Sequence, residues 1–189
     1  MNLATLPNIL TVARIIAVPV VVALFYWGGP LGDPLAALVF ILAAITDWID
    51  GYLARKLGVM TPLGEFLDPV ADKLMVSTAL ILLVAHDTSW IIVVSAMVII
   101  GREITVSALR EWMAQVGARA RVAVSSLGKW KTIVQMTGLS LMVYRRDLLG
   151  LPIYDIGVVL LVIAAVLTLW SMVSYVRAAW PELRRDPAP

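Results

Sequence analysis

The sequence predicts an all-α, polytopic membrane protein in which six transmembrane helices surround a polar cavity that faces the cytoplasm. Of the 189 residues, 61% are hydrophobic, and the mean hydropathy is +0.91, whereas soluble domains are ~45–50% apolar. Apolar runs of near-spanning length alternate with short polar segments. The charges cluster at one end of these runs, which indicates helix ends that line a polar cavity rather than meet lipid.

The predicted spans follow one another with short connections. The first covers residues 6–28, and the sequence G-G-P-L-G-D-P after it is typical of a turn. The other spans run from about Pro34 to Leu57, Leu63 to Ala85, Trp90 through Met113, Leu127 to Tyr144 and Ile153 to Val176. We expect residues 1–189 to form one domain, with a polar tail from about Arg177 that is partly frayed.

Basic residues lie mostly on one side of the predicted membrane, and only Arg145 and Arg146 fall on the other side. By the positive-inside rule, the basic side, both termini and the polar cavity face the cytoplasm. We therefore expect an integral protein of the inner membrane of a bacterium. The basic residues of the cytoplasmic side are Arg14, Arg55, Lys56, Lys73, Arg102, Arg110, Arg119, Arg121, Lys129, Lys131, Arg177, Arg184 and Arg185.

Charge and cysteine content exclude several other classes. The net charge is only +2, so nothing in it indicates a nucleic-acid partner. The chain has no cysteine, which excludes disulfides and thiol catalysis. The N-terminus lacks the basic start of a signal peptide, so the first apolar run is predicted to remain as a helix.

Four aspartates in the second and third spans are the main functional signal. Asp47 and Asp50 are three residues apart, and Asp68 and Asp72 are four apart. On α-helices both spacings place the two carboxylates of a pair on one face. Two apolar helices joined by a short turn would therefore present four carboxylates to one centre.

Such a centre requires a compensating cation. An ionised Asp at the middle of a membrane helix costs about 2.5–3.5 kcal/mol on insertion scales, and four carboxylates repel one another. Divalent cations such as Mg²⁺, Mn²⁺ or Ca²⁺ prefer oxygen ligands, and two of them would neutralise four carboxylates. Two-metal sites are typical of in-line displacement at phosphorus.

The same stretch contains the pattern D-x2-D-G-x2-A-R-x8-G-x3-D-x3-D. In this pattern and in the chain around it, the sequence resembles the CDP-alcohol phosphatidyltransferase family over nearly its whole length. The eight positions that carry the resemblance are Asp47, Asp50, Gly51, Ala54, Arg55, Gly64, Asp68 and Asp72.

The resemblance implies roles for the aspartates. It implies that Asp47, Asp50 and Asp68 are the main metal ligands. Asp72 is implied to be a further ligand and the general base that takes the proton of the attacking hydroxyl. The metal is implied to be Mg²⁺ or Mn²⁺, with two ions. The spacing alone does not distinguish Asp72 from the other three.

Donor-binding residues also follow from the resemblance. It implies that Gly51, Arg55 and Thr61 contact the cytidine diphosphate part of CDP-diacylglycerol, together with Asn8 and Thr11 at the start of the first span. A glycine permits close approach of a nucleotide, and a helix-packing role for Gly51 is the alternative. Arg14 would serve either a phosphate or one of the aspartates.

A second basic set lies at the end of the fourth span and the start of the fifth, and is either an anion pocket or ordinary loop charge. The sequences R-E-I-T-V-S-A-L-R-E-W and V-A-V-S-S-L-G-K-W-K-T are similar to the phosphatidylglycerophosphate synthase branch of the family. That branch transfers a phosphatidyl group to glycerol 3-phosphate, releases CMP, and is implied to form a homodimer. The residues expected to bind the acceptor phosphate are Arg102, Arg110, Lys129 and Lys131.

Three alternatives remain open from the sequence. Within the family, the acceptor would instead be phosphatidylglycerol, as in cardiolipin synthases, or inositol phosphate. From another class, a cation transporter would also carry carboxylates within the membrane. Arg55 argues against the transporter, because a cation path gains nothing from a phosphate-seeking arginine.

Overall fold

The computed structural model describes residues 6–57, 61–117 and 126–184, without the side chains of residues 6–7, 50–57, 62, 65 and 126–129. Within this part of the chain no strand occurs, and Leu148 and Leu151 form an isolated bridge. The all-α fold and the six predicted helices are confirmed. The helices are α1 (Leu6–Trp27), α2 (Gly29–Leu57), α3 (Pro62–His86), α4 (Trp90–Gln115), α5 (Ser126–Tyr144) and α6 (Ile153–Leu183).

Four of the described helices are long and apolar enough to cross a membrane: Asn8–Trp27, Gly29–Ile49, Trp90–Gln115 and Ile153–Leu183. The first half of α3 carries Asp68, Asp72 and Lys73, and the 19-residue α5 carries Lys131 and Gln135. These polar residues shorten the apolar runs of both helices. The protein is an integral membrane protein with several spanning helices, and six spans stay a prediction.

The second helix begins earlier than predicted, so most of the expected turn G-G-P-L-G-D-P is helical. The chain reverses within Gly28 and Gly29, whose φ angles of 62° and 72° lie in the left-handed region that glycine adopts readily. Pro30 then falls in the first helical turn, where its missing N–H leaves no bond unmade. Asp33 forms an ion pair with Arg145, and this distant partner is invisible in the local sequence.

The last helix extends past its predicted end at Val176 to Leu183. The segment 177–183, which we expected to be frayed, is therefore helical. Tyr175 and Ala179 are buried against Val106 and Met113 of α4. This packing holds a segment whose polar composition alone predicts a free tail.

The helices form one bundle with a main apolar core, and a second, smaller apolar cluster lies where α4 packs on the end of α6. α1 contacts α2 and α3, α6 contacts α4 and α5, and α2 also contacts α5. Fully buried core side chains come from several helices, among them Phe40, Leu80, Ile99, Leu139 and Leu161. The up-and-down order places the starts of α1, α3 and α5 and the ends of α2, α4 and α6 at one end of the bundle.

Glycines allow α5 and α6 to approach closely. A Cβ atom added to Gly157 of α6 would lie 2.6 Å from Met142 Cγ and 2.9 Å from the carbonyl oxygen of Gly138 on α5. A Cβ added to Gly138 would lie 3.1 Å from the Gly157 carbonyl oxygen. Small residues at a contact let helix backbones pack tightly within a membrane.

Arg145 joins three elements at the opposite end of the bundle. Its Nε donates to Asp33 Oδ1 at 3.0 Å and its Nη2 donates to the carbonyl oxygen of Phe25 at 2.8 Å. The guanidinium carbon lies 4.0 Å from the centroid of the Phe25 ring. This contact ties the end of α1 and the start of α2 to the end of α5.

Candidate active site

Three polar side chains at the start of α1 face the aspartate helices. Asn8, Thr11 and Arg14 are spaced three residues apart and are 3%, 0% and 3% exposed. Arg14 forms an ion pair with Asp47 of α2, and its Nη2 lies 3.4 Å from Asp68 Oδ1 of α3. Thr11 Oγ1 donates to the same Asp68 oxygen at 2.5 Å. The start of α1 therefore joins one aspartate of each pair, as the shared centre requires.

The start of α3 is held against the same part of α1. Thr61 is the N-cap of α3, and its Oγ1 accepts a hydrogen bond from the Gly64 N–H at 3.0 Å. The Thr61 hydroxyl donates to Asn8 Oδ1 at 2.8 Å. A Cβ atom on Gly64 would lie 2.8 Å from that Asn8 oxygen, so the glycine of the motif permits this close approach.

Asp72 lies one helical turn after Asp68 and borders two spaces. The Asp72 cavity is lined by Asp72, Lys73, Glu103, Lys131 and Gln135, among others. The α2–α5 groove is an apolar space of about 380 Å³ between those two helices, and Asp47, Trp48 and Asp72 lie on its wall. One carboxyl therefore faces both a charged pocket and an apolar groove.

The basic set of α4 and α5 is organised by a glutamate. Lys131 Nζ donates to Glu103 Oε1 at 2.6 Å, and Arg102 Nη1 donates to the same oxygen at 3.1 Å. Arg102 Nη2 donates to Ser171 Oγ of α6 at 2.9 Å, and its guanidinium carbon lies 5.5 Å from the Tyr175 ring centroid. Arg102 and Lys131 are thus brought together, as expected.

Sequence reasoning missed Glu103. The available signal was an acid directly after Arg102 at the end of a long apolar run, where a lone carboxylate is costly without a cation. Lys73 was also missed as a site residue, although it directly follows Asp72 in the sequence and lines the same cavity.

Other predicted site residues lie apart from this set or outside the described side chains. Arg110 is exposed on α4, about 12 Å along the helix axis from Arg102 at 1.5 Å per residue. Four more predicted residues lie on described helices: α2 contains Asp50, Gly51 and Arg55, and α5 contains Lys129. Their contacts lie outside the described part of the structure.

The donor atoms present suit a hard divalent cation. Asp47 and Asp68 contact one guanidinium, so their carboxylate oxygens lie around a position that already holds a positive charge, and Asp72 follows Asp68 by one helical turn. Among the side chains described, no group of three or more His, Cys, Asp or Glu residues is close enough to hold one ion. Asp50, the fourth carboxylate of the motif, lies outside that search.

Comparison with known proteins supports the motif. The family model described as CDP-alcohol phosphatidyltransferase matches residues 4–170. A protein of Salmonella choleraesuis (strain SC-B67) named CDP-diacylglycerol--glycerol-3-phosphate 3-phosphatidyltransferase is 46% identical over 178 residues, which cover 94% of this chain and 96% of that protein. An Arabidopsis thaliana protein named CDP-diacylglycerol--glycerol-3-phosphate 3-phosphatidyltransferase 2 is also 46% identical, with 95% and 81% covered.

A rice protein is equally similar and carries a different name. The cardiolipin synthase (CMP-forming) of Oryza sativa subsp. japonica is 46% identical over 193 residues and covers 95% of this chain. The chain spans only 58% of the length of the rice protein. Sequence identity alone therefore does not separate the two activities that these names give.

Proposed function

The chain belongs to the CDP-alcohol phosphatidyltransferase family, and we propose that it transfers a phosphatidyl group from CDP-diacylglycerol to glycerol 3-phosphate. The products are phosphatidylglycerophosphate and CMP. The family membership argues against the cation transporter, which the sequence alone had left as an alternative. The activity named for the Salmonella and Arabidopsis relatives supports this choice of acceptor.

One observation carries the choice of acceptor: Asp72 and Lys131 line the same cavity. A general base must lie beside the hydroxyl that it deprotonates, and a phosphate on the same small molecule needs a cation nearby. Lys131 and the neighbouring Arg102 supply that positive charge, and Glu103 holds both. Glycerol 3-phosphate and inositol phosphate both carry the two groups, whereas choline has no phosphate, and the names of the Salmonella and Arabidopsis relatives favour glycerol 3-phosphate.

The reaction follows from these positions. The oxygen of the primary hydroxyl of glycerol 3-phosphate attacks the phosphorus that bears the diacylglycerol. Its proton passes to Asp72, and the bond from that phosphorus to the CMP oxygen breaks, so that CMP leaves with the electron pair. Arg55 and Gly51, together with Asn8, Thr11 and Thr61, are proposed to bind the CDP part of the donor.

Members of this family use a divalent metal ion, and the donor set described above fits one. Asp47, Asp50, Asp68 and Asp72 would hold two Mg²⁺ or Mn²⁺ ions, which would neutralise charge on the pyrophosphate of the donor. Arg14 keeps Asp47 and Asp68 close together.

The donor lipid is proposed to occupy the α2–α5 groove. Its wall is mostly apolar, with Ile41, Ile45 and Ile133 among the residues that line it, and it reaches Asp47 and Asp72. Apolar side chains suit an acyl chain, and the end of the groove at Asp47 and Asp72 suits a polar head group together with a divalent cation. The groove therefore matches an amphipathic donor better than a water-soluble one.

We extend the proposal to location and assembly. The protein is placed in the inner membrane of a bacterium with both termini and the active site in the cytoplasm, because the basic residues gather at the end of the bundle that holds Asp72. Residues 1–189 are taken as one catalytic domain. The family resemblance supports a homodimer.

Release of CMP tests the proposal. Purified protein receives CDP-diacylglycerol and Mg²⁺, and glycerol 3-phosphate, phosphatidylglycerol and inositol phosphate are added one at a time. We expect CMP only with glycerol 3-phosphate. The second candidate is cardiolipin synthesis, favoured by the similarity to the rice protein. CMP release with phosphatidylglycerol and not with glycerol 3-phosphate would establish it instead.

A further inference from the structure

Gln135 is a buried polar side chain whose hydrogen bonding is incomplete. It lies on α5, and only 4% of it is exposed. Its Oε1 is buried and has no hydrogen-bond partner in the described part of the chain. Because buried polar atoms are nearly always paired, an orphan of this kind needs a partner that comes from elsewhere.

The cavity that Gln135 lines shows what size of group that partner has. The water-accessible space among these side chains is about 30 Å³, enough for one water molecule or one hydroxyl group, and because the cavity is partly open, the rest of a larger ligand would lie toward its mouth. Asp72, Glu103 and Lys131 line the same space. A small group with an O–H to donate fits both the volume and the unpaired carbonyl oxygen.

The position of Gln135 relates it to the acceptor. Gln135 follows Lys131 by four residues, so the two side chains share one face of α5. Lys131 is the cation assigned to the acceptor phosphate, and Asp72 is the base assigned to the attacking hydroxyl. Glycerol 3-phosphate has one more polar group, the hydroxyl on C2 that does not react.

We propose that Gln135 is a specificity-determining residue whose Oε1 accepts a hydrogen bond from the C2 hydroxyl of the acceptor. This inference rests on the proposed function, since it names a contact within the same acceptor site. Phosphate, attacking hydroxyl and spectator hydroxyl are then each held by a different residue. Three separate contacts fix the acceptor in one orientation.

An acceptor without the spectator hydroxyl provides the test. 3-Hydroxypropyl phosphate is glycerol 3-phosphate without the C2 hydroxyl. CMP release is measured with both acceptors for the wild type and for Gln135→Met, which has nearly the same length. We expect the wild type to prefer glycerol 3-phosphate by about 10-fold in kcat/KM, which corresponds to about 1.4 kcal/mol. In Gln135→Met the ratio falls to about 1, while KM for CDP-diacylglycerol stays unchanged.

Thr168→Val is the matched control. Thr168 of α6 is fully buried and its hydroxyl also has no partner among the described residues, but it is not one of the residues that line the Asp72 cavity. We expect this variant to keep the wild-type ratio. Gln135→Leu replaces Gln135→Met if the latter fails to fold, as judged by thermal unfolding in detergent.

The outcomes separate this inference from the proposed function. A wild type that uses both phosphates equally well, or a ratio that persists in both Gln135 variants, shows that Gln135 holds only a buried water and overturns the inference. The proposed function survives either result. If the wild type releases CMP with neither acceptor, the proposed function is wrong and the inference falls with it.

Discussion

At the scale of single residues, Arg14 joins the two aspartate pairs, because it contacts Asp47 of one pair and Asp68 of the other. It is almost fully buried, whereas its partners Asp47 and Asp68 are about two-fifths exposed. The sequence predicts that the pairs converge, because the spacing of each pair fixes a helix face. It leaves open whether Arg14 serves a phosphate or an aspartate, since the choice depends on how three helices pack.

Loss of Arg14 should loosen the carboxylate centre. Removing one partner of a buried ion pair costs about 3–5 kcal/mol, and partial exposure of the aspartates should reduce this cost. We expect Arg14→Gln to lower the unfolding temperature in metal-free detergent, and Arg14→Lys to lower it less because the charge is kept. Thermal unfolding measures both. Equal stability of Arg14→Gln and the wild type would contradict the role given to this ion pair.

Lys131 should affect one substrate and not the other. A charge-assisted hydrogen bond to phosphate contributes roughly 1.5–3 kcal/mol, which corresponds to about 10- to 150-fold in kcat/KM. We expect Lys131→Ala to raise KM for glycerol 3-phosphate while KM for CDP-diacylglycerol stays near the wild-type value. Steady-state kinetics with each substrate varied in turn measures this split. Arg146→Ala, exposed in the α5–α6 turn, is the control and should change neither constant.

Glu103 shows the limit of the sequence at this scale. The sequence R-E-I-T predicts a basic pocket but does not reveal the role of the glutamate within it. Its importance comes from Lys131, which is 28 residues away and donates to it at 2.6 Å. Contacts of this kind depend on the rotation of α4 against α5, and no local pattern encodes that rotation.

At the scale of the elements, apolar runs predict all six helices, but two boundaries are wrong. α2 starts at Gly29 because Arg145 reaches Asp33, and α6 continues to Leu183 because Ala179 packs on α4. Both extensions depend on tertiary partners. A prediction from composition ends a helix where the apolar run ends, whereas the observed helix ends also depend on tertiary contacts.

Substitution by alanine should have different effects on stability at Gly157, in the contact between α5 and α6, and at Gly101 on α4. Gly157→Ala would place Cβ within 2.6 Å of Met142 Cγ and 2.9 Å of backbone, and forcing helices apart typically costs about 1–3 kcal/mol. Gly101→Ala meets nothing within 4 Å on α4 and should be neutral or stabilising by up to about 1 kcal/mol. We expect only Gly157→Ala to lower the unfolding temperature in detergent, and the reverse order would contradict the close packing.

At the scale of the whole molecule, the charged side chains of the candidate active site gather at one end of the bundle and the Arg145 contact lies at the other. The sequence predicts this polarity because charges concentrate at alternate connections. Among the described residues, four helices have the length and composition needed to cross a membrane, so the number of spans depends on how the shorter apolar runs of α3 and α5 lie in the bilayer.

Cysteine labelling tests the orientation, and the natural absence of cysteine provides a clean background. Thr88 and Gln115 are both exposed, just before α4 and at its far end. In intact cells, we expect Thr88→Cys to react with a membrane-impermeant maleimide and Gln115→Cys to react only after permeabilisation. The opposite labelling pattern would place the Asp72 end of the bundle outside the cell.

Asp72 lies between the α2–α5 groove and the Asp72 cavity. In the proposed assignment, the donor reaches Asp72 from the bilayer through the groove, and the acceptor reaches it from water through the cavity. The enzyme would then not have to extract a lipid from the bilayer. Its turnover should follow the mole fraction of donor within the surface of mixed micelles, and diluting the donor with inert detergent at constant bulk concentration should slow the reaction.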